Sequence, residues 1–281
     1  MTTFLRQLYY ELFKLFARRR TYLGYAAFVA IELLILMGLH TPHAHQMFLR
    51  AMKSNGLDFS HYFSGLTLAY VMMSYTVFIL GSLYLALICG DIISKEVEDG
   101  TMRMVLSRPV SRGRILLLKI IACAVYTFSL VFFIVVSSLV VGIADRGYGG
   151  MIVVAPWEHV FGFYEGGPGL LRFAYAGGIL SVLMITFAAL GFMFSCFNLK
   201  PATATILTLS VYLFDSIVRG VPYFENLQGY LLTHHMAMWI QVFQPIIPWS
   251  KIGHSMLYLG CFDLLFISIG TWYFARRDFK A

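Results

Sequence analysis

The densest run of charge in the chain is residues 91–119, DIISKEVEDGTMRMVLSRPVSRGRILLLK. Acids come first (Asp91, Glu96, Glu98, Asp99) and bases follow (Arg103, Arg108, Arg112, Arg114, Lys119). Charges segregated in this way dock, pair and set orientation rather than break bonds. Local rules give the run a shape. Gly100 can break or cap a helix, and Thr101 then stands as N-cap of a short helix through about Arg108. Pro109 stops that helix, because the residue before proline disfavours α geometry. Ser111 can cap the helix that follows. The order is helix end, short helix, turn, helix start. Such a segment is either a solvated loop whose arginines set topology or a rigid knob pushed by a soluble motor.

Three acids interrupt apolar runs: Glu32, Asp215 and Asp263. A charge at the centre of a bilayer costs about 2.5–3.5 kcal/mol on insertion scales, so each should face protein or water. Asp215 has Arg219 four residues later, the spacing of a helical ion pair. Glu32 and Asp263 either line a polar route or subunit seam, or sit protonated and hydrogen-bonded inside one subunit. The run His40-Thr-Pro-His43-Ala-His45 offers imidazoles to copper or zinc, although short histidine runs more often mark a solvated loop. His234-His235 reads the same way. Cys89, Cys123, Cys196 and Cys261 fall inside apolar segments without a C-x-x-C pair, as unpaired buried thiols do. No metal site is expected.

Motifs of self-contained catalysis are missing. The chain has no G-x-x-x-x-G-K-[ST] run to cradle nucleotide phosphates, and neither H-E-x-x-H nor G-x-S-x-G. Asp99-Gly100-x-x-Arg103 is faintly similar to the D-G-x-x-A-R of membrane phosphatidyltransferases. The further paired aspartates of that metal-dependent chemistry do not follow.

The elements that carry these residues are set by composition. Of 281 residues, 59% are hydrophobic and 12% charged, against roughly 45–50% and 25% in soluble domains. Six stretches are long enough to cross a bilayer as helices: 22–39, 66–93, 115–143, 173–196, 202–218 and 252–274. With the N-terminus inside, 15 of the 21 lysines and arginines lie on the inner side and all eight histidines on the outer. The imbalance favours an even number of spans with both ends cytoplasmic. The net charge of +7 therefore reads as membrane orientation, not nucleic-acid binding. Residues 4–20, FLRQLYYELFKLFARRR, put Leu5, Leu8, Tyr9, Leu12, Phe13 and Phe16 on one helical face. A basic amphipathic helix just ahead of a span lies flat at the interface as an elbow. No cleavable signal peptide is expected ahead of the first span. Residues 219–251 are too apolar for a free loop and too interrupted by Pro245 and Pro248 for a span, so they read as an outer interfacial or re-entrant segment. The fold class is all-α integral membrane: an amphipathic interfacial elbow helix, then six transmembrane helices, with both termini cytoplasmic.

The string Glu96-Val-Glu-Asp-Gly100-Thr101, then Leu106-Ser-Arg-Pro109-Val110-Ser111-Arg112, then Lys119, resembles the signature of ABC-2-type transporter permeases. Those chains show "E…GT…LLS.PVSR…K" directly after the second span. The likeness extends to the elbow helix, the six spans and the connection between the fifth and sixth, while only 94–119 is motif-specific. Val105 stands where many relatives carry leucine. The resemblance implies a single permease domain, 1–281, in the bacterial plasma (inner) membrane. It implies export and pairing with a second permease copy or a homologous permease. It also implies docking of a separate ABC ATPase subunit, which holds the ATP and Mg, on the cytoplasmic loop 94–114. The residues it marks for ATPase coupling are Glu96, Glu98, Gly100, Thr101, Arg108, Pro109, Ser111 and Arg112. Their implied roles are helix termination, capping and charge pairing with the ATPase. Glu32, Asp215 and Asp263 are the candidates for the translocation path or subunit seam. The competing reading is an ion-coupled secondary transporter using Glu32 and Asp263.

Overall fold

The computed structural model describes residues 2–40, 62–107, 110–158 and 160–277. Arg108, Pro109, His43, His45, His61 and His159 lie outside them.

The chain opens with helix α1 (Thr2–Phe16), then bends at Arg18, whose backbone is extended (φ −72°, ψ 131°), into α2 (Arg19–Leu39). Thr21 Oγ1 donates to the Leu15 carbonyl at 2.9 Å and closes the bend. The apolar stripe of α1 divides. Leu12, Leu15 and Phe16 pack on the core, while Leu5, Tyr9 and Phe13 remain exposed.

Next come α3 (Gly65–Glu98), the short α4 (Thr101–Leu106) and the 35-residue α5 (Arg112–Arg146). Ser64 starts α3, accepting from Leu66 N at 3.2 Å and donating to the Gly150 carbonyl at 2.5 Å. A π-helical turn, Val77–Gly81, sits inside α3. Helix α6 (Gly166–Cys196) is broken at Met184; α7 (Pro201–Gly220) follows, with proline in the first turn where its missing N–H costs nothing. Two 3₁₀ segments, Pro222–Tyr230 and Ala237–Phe243, flank α8 (Leu232–Met236) before the last long helix, α9 (Trp249–Arg276). Among the described residues six helices are long and apolar enough to cross a membrane: α2, α3, α5, α6, α7 and α9. They overrun the apolar stretches at polar ends such as Lys95–Glu98 and Arg112–Arg114, because a helix continues to its cap and not to its last apolar residue.

The sequence reading missed one element. Strands β1 (Met151–Ala155) and β2 (Val160–Tyr164) pair antiparallel, Met151 opposite Tyr164 and Ala155 opposite Val160. These ten residues are rich in valine and aromatics, which suit a pleated surface. Among the described residues the other elements are helical. The hairpin packs beside the start of α3, where Ile152 N donates to Thr67 Oγ1 at 2.9 Å.

Helices α3 and α6 form the protein-lined centre. Of their most apolar windows 67% and 83% is buried, against 17% for α2 and α7 and 22% for α9. The peripheral helices thus turn broad apolar faces outward. At the hairpin end α3 and α5 touch backbone to backbone. A Cβ added at Gly65 would meet the Gly142 and Gly147 carbonyl oxygens at 2.6 Å, and one at Gly142 would strike the Gly65 carbonyl. Close approach of this kind is how helices in lipid gain packing energy. Replacing Gly142 by valine should force the helices apart and destabilise the protein by about 1–3 kcal/mol. A lowered melting temperature in detergent checks this; an unchanged one contradicts it.

Candidate functional site

The marked segment lies at the end of the bundle opposite the hairpin. Gly100 adopts the left-handed conformation (φ 70°), which ends α3: its N–H donates to the Val97 carbonyl at 3.1 Å, after Asp99 N to Lys95 O at 2.9 Å. Helix α4 starts at once, with Gly100 and not Thr101 in the capping position. The Thr101 hydroxyl instead turns back to the Glu96 carbonyl at 3.2 Å. The expectation that Thr101 is the N-cap is therefore corrected: a left-handed glycine already serves as the boundary of both helices. Ser111 does cap α5, accepting from Arg114 N at 3.4 Å.

Glu96 is 3% exposed and Lys119 1%. Lys119 Nζ lies 2.8 Å from one Glu96 carboxylate oxygen, and Lys14 of α1 pairs with the other. Lys119 also donates to the Ile92 carbonyl at 3.2 Å and reaches Glu11 of α1 at 3.3 Å. Four charged side chains thus join α1, α3 and α5. Two carboxylates and two ammonium groups balance, as charges removed from water require. One turn deeper, Arg20 of α2 pairs with Asp91 of α3 at 2.5 Å. Ser195 Oγ of α6 accepts from Ile93 N at 2.9 Å and Ser94 N at 3.0 Å.

Two of the residues marked for coupling are bonded within the chain. Glu96 is buried and pairs with Lys119 and Lys14. Arg112 is exposed, yet it donates to the Ala275 and Arg277 carbonyls, each at 3.0 Å, and so satisfies the C-terminal end of α9. The surface the segment offers is Glu98, Asp99, Arg103 and Met104, with Met104 65% exposed and its neighbour Met102 buried as an anchor.

The three acids within apolar runs are not brought to one point. Glu32 is fully buried and accepts from Ser137 Oγ of α5 at 2.8 Å. Asp263 of α9 faces Thr186 of α6. Asp215 does not pair with Arg219. Its carboxylate accepts from Thr233 N at 2.7 Å, Thr233 Oγ1 at 2.6 Å and Leu232 N at 3.3 Å, at the start of α8. Arg219 pairs instead with Glu158, which is buried in the turn between the strands. The sequence could not show this, because the partner is 61 residues away and belongs to an unexpected hairpin.

Glu158–Arg219, Asp215–Thr233 and a third contact pin residues 220–249 over the hairpin end. In the third, Arg172 donates to the Val242 carbonyl at 2.6 Å, to Gln244 O, and to Pro245 O at 2.9 Å. It also lies over the Tyr164 ring, 4.4 Å from the centroid. His235 is buried, with Nδ1 at 3.0 Å from Ser255 Oγ and Nε2 at 3.0 Å from the Gly229 carbonyl. Sequence reasoning missed Glu11, Lys14, Arg20, Asp91, Glu158 and Arg172 as site residues. Only Glu11 and Lys14, one turn apart on the polar edge of α1, carried a local signal.

The family described as ABC-2 family transporter protein matches residues 13–279. The chain belongs to this family. The uncharacterized protein YhcI of Bacillus subtilis (strain 168) is 23% identical over 221 residues, covering 75% of this chain and 68% of that protein. ABC-2 permeases carry no catalytic nucleotide-binding domain, and residues 13–279, which match the family, contain no G-x-x-x-x-G-K-[ST] run. With its six apolar helices the chain is a multi-pass protein of the inner membrane. Among the described residues no group of three or more His, Cys, Asp or Glu side chains can hold a metal ion.

Two outcomes follow for the ABC-2 protein. Lys119→Met leaves Glu96 buried beside one remaining lysine and should cost about 3–5 kcal/mol, with Glu96→Gln added to it recovering much of the loss. Thermal unfolding of the single and double variants checks this; additive losses contradict it. Burial holds the His235 imidazole below its ordinary value of 6.5, against the Gly229 carbonyl, which acts the other way. The unfolded chain then binds more protons below pH 6.5, so stability is full above that pH and falls as pH drops through it. His235→Gln should flatten the acid limb of melting temperature against pH.

Proposed function

We propose that this ABC-2 protein is the membrane-spanning permease subunit of an exporter, powered by a separate ABC ATPase subunit that holds ATP and Mg. Two permeases, either two copies of this chain or this chain and a homologue, enclose the path. Both termini are cytoplasmic, α1 lies at the inner interface as an elbow, and residues 94–114 meet the ATPase.

The observation that carries this reading is the division of the marked segment. One half (Glu98, Asp99, Arg103, Met104) is exposed on and beside a one-and-a-half-turn helix. The other half (Glu96, Met102, Lys119) is buried and bonded to α1, α3 and α5. A push on the exposed half reaches the buried half through Met102 and the Thr101–Glu96 contact. Motion is therefore passed to three helices together, and through Arg112 to the end of α9. The aromatic edge of α1 (Tyr9, Tyr10, Phe13), with Arg6 beside Tyr10, suits the headgroup layer.

Two experiments test this. Co-expressed with a candidate ABC ATPase encoded beside it, the chain should co-purify with that subunit and show substrate-stimulated ATP hydrolysis. Export by the chain alone, without ATP, would overturn the reading. Reversing charge at Glu98 and Asp99 (to Arg) should weaken co-purification about tenfold or more with the melting temperature unchanged. Intact assembly and coupling in that variant would remove this surface from the interface.

A further inference from the structure

Resting on the orientation proposed above, we infer that the β1–β2 hairpin is a membrane anchor, whose outward face, led by Trp157, inserts into the headgroup layer of the outer leaflet.

The alternation of the strands sets its two faces. Met151, Val153, Ala155 and Val160 are buried in the core of the bundle. The other face is made of two pairs that sit opposite each other across the ladder, Ile152 with Phe163 and Val154 with Phe161. A hairpin with one face in water carries polar residues on that face. This one carries none. Val154 and Phe161 are exposed, and the Phe161 and Phe163 rings meet edge to face at 5.0 Å. Tyr62 continues the row, 5.3 Å from Phe163. Trp157, in the turn between the strands, is 66% exposed. A contiguous apolar and aromatic surface of this kind marks contact with a membrane or a partner.

The depth of the turn decides between them. Helix α7 begins at Pro201, and at ~1.5 Å per residue its 20 residues run about 30 Å, the thickness of one hydrocarbon layer. Arg219, in its last turn, therefore lies at the outer edge of that layer. The Glu158 carboxylate pairs with Arg219, and the Glu158 carbonyl accepts from Gln241 Nε2 at 3.3 Å, so the turn of the hairpin is held at the same level. Lipid flanks the bundle there, because α7 turns a broad apolar face outward, with Phe214 and Ile217 exposed in its last turns. Glu158 is buried, which takes its charge away from the exposed surface and leaves Trp157 there beside Pro156. Tryptophan and phenylalanine without charge, at headgroup depth, are what an interfacial anchor presents.

Nitroxide labels test this in the full-length chain, in phosphatidylcholine nanodiscs, with the exposed Cys261 replaced by serine. Collisions with oxygen, which concentrates in lipid, are compared with collisions with nickel ethylenediaminediacetate, which stays in water. Labels at Phe161→Cys and Val154→Cys, with Trp157 intact, should be relaxed more by oxygen than by the nickel complex. Phe214→Cys on α7 is the lipid reference and Met104→Cys on α4 the water reference, both positions being exposed. Trp157→Glu, which leaves Glu158 and Arg219 untouched, should shift the Val154 label toward the nickel complex. Should that variant fold poorly, the two labels beside an intact Trp157 carry the test alone. Nickel access equal to that at Met104 would place the hairpin in water. Shielding from both relaxers would mean a protein cover such as a second permease. Either result overturns the inference. Nanodiscs expose both sides of the membrane and hold no ATPase here, so a reversed orientation or a failure of ATPase coupling would leave these readings unchanged.

Discussion

A carboxylate and an ammonium group almost without solvent, Glu96 and Lys119, hold the working end of this molecule together. Removing both from water is expensive, and their mutual attraction repays it only when geometry and neighbours are right. The neighbours are Lys14 and Glu11 on α1 and the Ile92 carbonyl on α3. That requirement fixes where α1 lies and how far α5 extends beyond its apolar stretch. Satisfying buried charge in this way makes three elements mechanically one, which a purely apolar contact, free to slide, would not do.

The hairpin end obeys the same constraint with different parts. Residues 220–249 cannot form a spanning helix, since Pro222, Pro245 and Pro248 interrupt it and the 3₁₀ segments leave carbonyls open. Arg172 answers those carbonyls, Asp215 answers the amides of α8, and Glu158 with Arg219 closes the gap. Irregular backbone at the edge of a membrane is tolerated only where protein satisfies it.

Much of this was legible in the residues. The six spanning helices follow from apolar length, the break at Gly100 from glycine's freedom at positive φ, and the cap at Ser111 from its place before a helix. What stayed hidden is long-range. Thr101 looked like a cap because the local pattern does not say that Gly100 already occupies that position. Asp215 and Arg219 looked paired because spacing of four is all a sequence displays, whereas Glu158 reaches Arg219 only through a hairpin. Glu96 and Arg112 looked like docking charges, and only packing reveals that one is buried against Lys119 and the other holds the end of α9.

The central claim is that α1, α3 and α5 move as one piece because buried charge locks them. Spin labels on Tyr10→Cys of α1 and Leu117→Cys of α5, both exposed, in a background lacking the native cysteines, measure it directly by pulsed electron resonance. The assembled transporter should give one narrow distance that is the same with and without nucleotide, and a broad distribution once Lys119 is replaced by methionine. A distance that shifts with nucleotide while Lys119 is intact would contradict the account.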